Sequence, residues 1–144
     1  MFNTNRDSLR QFYFDSWQKF KNKSELNPLE QQIVAVINEH PEYHALLENK
    51  EASLDKEFMP EMGETNPFLH MGMHLGLMEQ ISTNRPEGIR ELYQQMIVKQ
   101  SAHDAEHEMI DCLAEAIWTA QKNNVQPDDS AYFSCLKAKL RKNK

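Results

Sequence analysis

Residues 66–82 read NPFLHMGMHLGLMEQIS. Asn66 is a natural N-cap and Pro67 suits a first helical position, where a missing N–H costs nothing. Phe68, Leu69, Met71, Met73, Leu75, Leu77, Met78 and Ile81 leave no continuous polar face, which predicts a helix over 67–82 that is central in its domain. Gly72 and Gly76 lie four apart, roughly opposite His70 and His74, and predict that a neighbouring helix approaches closely there. His70 and His74 are themselves four apart. On a helix this places their Cβ atoms about 5–6 Å from each other. Two imidazoles can then converge on one ion, a recurrent way of holding zinc or iron.

The same spacing accounts for every histidine in the chain: His40/His44, His70/His74 and His103/His107. Chance placement of six histidines would give only about 0.2 such pairs. His103 and His107 open a helix expected over 102–122, N-capped by Ser101, with Ile110, Leu113, Ala114, Ile117 and Trp118 on the same buried stripe. Short connections make sequential helices antiparallel, so the helices beginning at 67 and 102 are expected to run parallel. Their histidine-bearing ends then meet. His40 precedes a proline and is pushed out of helical geometry, which weakens the spacing argument for His40/His44.

Outward from this centre, proline marks the helix starts. Asn27-Pro28, with Glu30 at capping-box spacing, begins a helix over 28–39. His40-Pro41 begins a short one to 49, Arg85-Pro86 one to 100, and Gln126-Pro127 one over 128–141. The first helix, 7–21, is expected to bury Leu9, Phe12, Tyr13, Trp17 and Phe20. Residues 50–65 read as an acidic loop, a candidate lid. The expectation is one all-α domain over 1–144, a bundle of five to seven helices, with a basic tail at 137–144.

Composition bounds the partners. The net charge is −6, and the last eight residues carry five basic groups, so the rest holds 11 basic against 22 acidic groups, net −11. An acidic body argues against a broad nucleic-acid-binding face. The tail reads first as a solvated helix end whose cations suit the dipole. The first eight residues are polar, unlike a secretion signal. The longest aliphatic run, residues 33–37, is far too short to span a bilayer. Cys112 and Cys135 lack CxxC spacing and read as reduced core residues of a cytoplasmic protein.

The candidate metal ligands are therefore His70, His74, His103 and His107, with His40 and His44 as further members. Glu106 and Asp111 lie near the inner face of their helix and could complete the coordination or orient a ring; Glu48, four after His44, is a similar candidate. Nitrogen and oxygen donors without thiolate fit zinc or iron first, and nickel or manganese also. One or two ions are expected. An open coordination position would let a bound water serve hydrolysis or group transfer. The rival reading makes the histidines a structural network or pH switch in a non-catalytic adaptor for a protein or ribonucleoprotein partner. Oligomeric state is not legible.

Named motifs add little. His103-Asp104-Ala105-Glu106-His107 matches H-x-x-E-H, but too little chain follows for such a protease. The order His44-x-x-x-Glu48, His70-x-x-x-His74 resembles hemerythrin-like bundles, from which His107-x-x-x-Asp111 departs. Small histidine-metal bundles related to bacterial damage-inducible proteins share the plan only. A resemblance over nearly the whole chain is closer. Met1-Phe2-Asn3 with Phe12-Tyr13-Phe14, the block His40-Pro41-Glu42-Tyr43-His44-Ala45-Leu46-Leu47, Asn66-Pro67-Phe68-Leu69-His70 through His74-Leu75, and His107 through Trp118 to Gln121 resemble an uncharacterised bacterial family, a domain of unknown function. That resemblance implies a small cytoplasmic helical protein and supplies no activity.

Overall fold

The computed structural model describes residues 3–53 and 66–142, and they form an all-α fold. Six helices have eight residues or more: α1 (Asn3–Lys21), α2 (Pro28–Asn38), α5 (Pro67–Thr83), α6 (Ile89–Met96), α7 (Ala102–Asn123) and α8 (Asp129–Lys142). Between α2 and α5 come a 3-10 turn, Pro41–Tyr43, and the short helices α3 (His44–Glu48) and α4 (Lys50–Ser53). The expected loop at 50–65 thus begins with a helical turn; residues 54–65 lie outside the described residues. Among the described residues no helix is long and apolar enough to cross a membrane.

The starts of these helices follow from local chemistry. The Asn27 side chain accepts from the Glu30 N–H at 2.8 Å, while the Asn27 N–H donates to the Glu30 carboxylate at 2.9 Å. This complete capping box satisfies two donors that a helix start leaves unpaired. Lys19 closes on the same carboxylate at 2.7 Å and ties α1 to α2. Asn66 Oδ1 accepts from the N–H groups of Phe68 and Leu69, capping α5. Ser101 Oγ accepts from Asp104 N–H and starts α7.

One expected helix is shorter than its pattern. The stretch 86–100 gives only Ile89–Met96. The Arg85-Pro86 bond is cis, and Gly88 has φ of 101°, a left-handed geometry that glycine adopts without a steric cost. Asn84 Oδ1 accepts from both Gly88 N–H and Arg90 N–H. These bonds hold the turn open and move the helix start to residue 89.

The chain divides into two compact units, Met1–Leu75 and Gly76–Lys144. In the first, α1 packs on α2 and α3. Its core holds Tyr13, Phe14, Trp17, Ile33, Val36, Ile37, Leu47, Phe68 and Met71. The buried stripe of α1 is rotated from the expected one. Arg10, Tyr13, Phe14 and Trp17 are inside, whereas Leu9, Phe12 and Phe20 are exposed. Phe68 explains the rotation. Its ring meets those of Tyr13 and Phe14 at 5.7 and 6.0 Å, and the Arg10 guanidinium lies 4.7 Å over it. A cation held on an aromatic face can be buried where a bare one cannot.

In the second unit α8 packs on α6 and α7. Ile89, Leu92, Met96, Ala105, Met109, Cys112, Tyr132 and Leu136 are its core. Two expectations fail here. Trp118 is not buried; it is 61% exposed, with Lys122 Nζ 5.0 Å from its ring. The reading of Cys112 and Cys135 as reduced thiols is overturned as well. They form a disulfide between α7 and α8, with Cα atoms 5.7 Å apart. The short link after Asn123 turns the chain back antiparallel, so that residues 112 and 135, and likewise Asp111 and Lys139, face each other.

The expected burial of α5 on every side is also corrected. Phe68, Met71, His74 and Leu77 are inside, while Leu69 is 60% exposed. The glycine reading fails too. A Cβ built on Gly72 would meet only the Tyr13 hydroxyl, at 3.8 Å, and one on Gly76 would meet nothing within 4 Å among the described residues. Among the described residues, neither glycine has a helix backbone against it.

Candidate metal centre

His40, His70 and His74 come together in the first unit. Each offers a ligand nitrogen, and these nitrogens lie within 4.8 Å of one another. Their ring centroids form a triangle with sides of 5.0, 4.7 and 4.8 Å, and the rings stand at 66–81° to each other. His40 and His74 are buried, at 1% and 0% exposure, and His70 is half-buried.

Each ring is positioned by a different device. His70 and His74 project from successive turns of α5, as their spacing requires. Their Nε2 atoms are 3.2 Å apart. Two nitrogens bound to one ion at ~2.0–2.1 Å each would be about 2.8–3.4 Å apart at tetrahedral or octahedral angles. The observed separation suits that geometry, and it also suits one proton shared between the rings.

His40 arrives by another route. Pro41 excludes helical geometry at residue 40, whose backbone sits at φ −128° and ψ 70°. The residue therefore ends α2 and does not open the next helix. Its Nδ1 is 2.7 Å from the carbonyl oxygen of Val36, one turn back. A carbonyl can only accept, so Nδ1 carries the proton and donates. In the neutral ring this makes Nε2 the lone-pair nitrogen, the arrangement in which metal-binding histidines are held. Tyr43 stacks on the His40 ring at 5.3 Å, with 5° between planes, and fixes its tilt. Burial raises the Tyr43 phenol above the ordinary tyrosine range, with the Glu42 carboxylate adding to it.

His44 does not join His40, despite their spacing. Its Nε2 donates to the Ile37 carbonyl at 3.0 Å and its ring lies 4.6 Å from that of Trp17. Glu48 is exposed and paired with Lys21 at 2.7 Å, which holds its carboxyl below the usual range. His103 and His107, in the second unit, form a pair of half-buried rings with centroids 4.2 Å apart. Glu106 on the same helix is half-buried. Asp111 is exposed and lies 3.6 Å from Lys139. Neither acid joins the group of residues able to hold an ion among those described.

Sequence reasoning underrated His40 and missed Tyr43. The available signal was the His40-Pro41 dipeptide. A histidine before proline cannot share a helix face with the residue four ahead, so His40 belongs with α2, and His44 with another neighbour.

The chain matches the family model described as Domain of unknown function (DUF1841) over residues 5–138, and it belongs to that family. No curated protein and no solved structure matches it. The family description attaches no reaction to these histidines.

Proposed function

We propose that this protein binds a transition-metal ion through His40, His70 and His74. The carrying observation is the convergence of three near-perpendicular imidazoles in a buried site, with His40 held by a backbone carbonyl through Nδ1. Three neutral nitrogen donors fit zinc or iron first, and nickel or manganese as well. With three protein ligands, zinc keeps a fourth position for water, the pattern of catalytic rather than structural zinc sites. A metal-bound water would supply a nucleophile near neutral pH. The corresponding activity is that of a small metal-dependent hydrolase or transferase. His103 and His107 stay in the proposal on sequence grounds, as ligands that raise the coordination or hold a second ion.

The test is calorimetric titration of the metal-free protein with zinc, then with ferrous iron, nickel and manganese. One high-affinity site is expected, weakened at least about 100-fold by His70→Ala, since removing even an outer partner of a ligand costs 10–100-fold. His44→Ala should leave affinity unchanged. His103→Ala/His107→Ala reports whether stoichiometry or affinity depends on the second unit. Titrations without heat in a protein whose circular dichroism is helical would overturn the proposal.

A further inference from the structure

The Cys112–Cys135 disulfide offers its two sulfurs unequally. Cys112 is 1% exposed, while Cys135 is half-buried. A cavity of about 240 Å³ opens on the bond, and both cysteines line it. The rest of its wall is small or polar. Ala116, Ala120 and Ala131 leave room, and Glu115 and Asp128 supply charge; no Lys or Arg lines it. Glu115 Oε2 lies 3.9 Å from Cys135 Sγ. A disulfide sulfur has no proton to donate, so this approach is a carboxylate placed beside the reactive atom.

We propose that this disulfide is a thiol–disulfide exchange site entered by a small neutral or cationic thiol, such as an aminothiol. The incoming thiol loses its proton to solvent or to the Glu115 carboxylate. Its sulfur attacks Cys135 Sγ, the accessible atom, and the S–S bond breaks. Cys112 leaves as a thiolate and is then protonated. A second thiol attacks the mixed disulfide, releasing the small disulfide and the Cys135 thiol. Two small thiols are oxidised, and the protein disulfide gains two electrons and two protons. Two carboxylates in the wall repel an anionic thiolate and attract an ammonium group, so charge selects the partner. Reversible disulfides of this kind, and not purely structural ones, are those that occur in reducing compartments.

The experiment uses the full chain, oxidised with a small disulfide and then exposed to cysteamine, mercaptoethanol or mercaptoacetate in native buffer. Acid quenching, alkylation and peptide mass spectrometry locate the adduct. The expected adduct is on Cys135, and Cys112→Ser, treated with the small disulfide alone, should hold it there. With each thiolate's rate divided by its rate on a small uncharged disulfide, which removes intrinsic nucleophilicity, cysteamine should react roughly tenfold faster than mercaptoacetate, and Glu115→Gln should shrink that ratio. Equal normalised rates for the three thiols would overturn the proposal. So would an adduct on Cys112, failure of the pair to oxidise, or reduction that proceeds only as fast as the protein unfolds in denaturant.

Discussion

His40 takes its role from its neighbours on both sides. Pro41 removes it from a helix, Val36 accepts its Nδ1 proton, and Tyr43 covers its face. Tyr43→Leu should keep the three nitrogens but loosen the His40 ring. We expect zinc affinity to fall by about 10-fold, as for a lost outer partner, with the melting temperature little changed. A histidine spacing of four showed that α5 presents two rings together. It misassigned His44, because the spacing rule assumes a continuous helix and the proline breaks it. Tyr13 carries a different prediction. Burial pushes its phenol up to about 12. The unfolded chain releases that proton near the ordinary tyrosine value of 10, while the folded chain retains it. Its stabilisation is therefore complete below about pH 10 and is lost as pH rises toward about 12. Alkaline denaturation followed by circular dichroism should be shallower in Tyr13→Phe.

Helix ends were legible and helix faces less so. The capping box at Asn27 and the caps at Asn66 and Ser101 use side chains adjacent in sequence, so spacing alone reveals them. Asn27→Ala should cost about 1 kcal/mol in urea denaturation. The same box gives an acid dependence. The Lys19 hydrogen bond, then the Asn27 N–H, hold the Glu30 carboxyl below its usual range. Its stabilisation is present above the unfolded carboxylate value and is lost as pH falls through the lower folded value. Glu30→Gln should flatten that part of the acid profile. The face of α1 was misread because burying Arg10 depends on Phe68, a residue far along the chain. Gly76 was misread because a small residue shows where a neighbour could come, not that one does. Among the described residues nothing lies within 4 Å of a Cβ there, so Gly76→Ala should stabilise the protein by about 0.5–1 kcal/mol through helix propensity.

For the whole molecule, the all-α class followed from the proline-punctuated, 3.6-residue patterning. The disulfide did not, since it depends on α7 and α8 turning Cys112 and Cys135 toward each other. Closing a loop of 23 residues should contribute about 3 kcal/mol on the chain-entropy account. Membership of a family without an assigned reaction leaves the histidines as the chemistry to be tested. The most direct test is elemental analysis by mass spectrometry of untagged protein purified without chelator or metal-affinity resin. The expected result is one or two transition-metal ions per chain, depleted in His70→Ala and retained in His44→Ala. Protein with no bound ion, and no thermal shift on adding zinc, iron, nickel or manganese, would contradict it and make the three imidazoles a structural network.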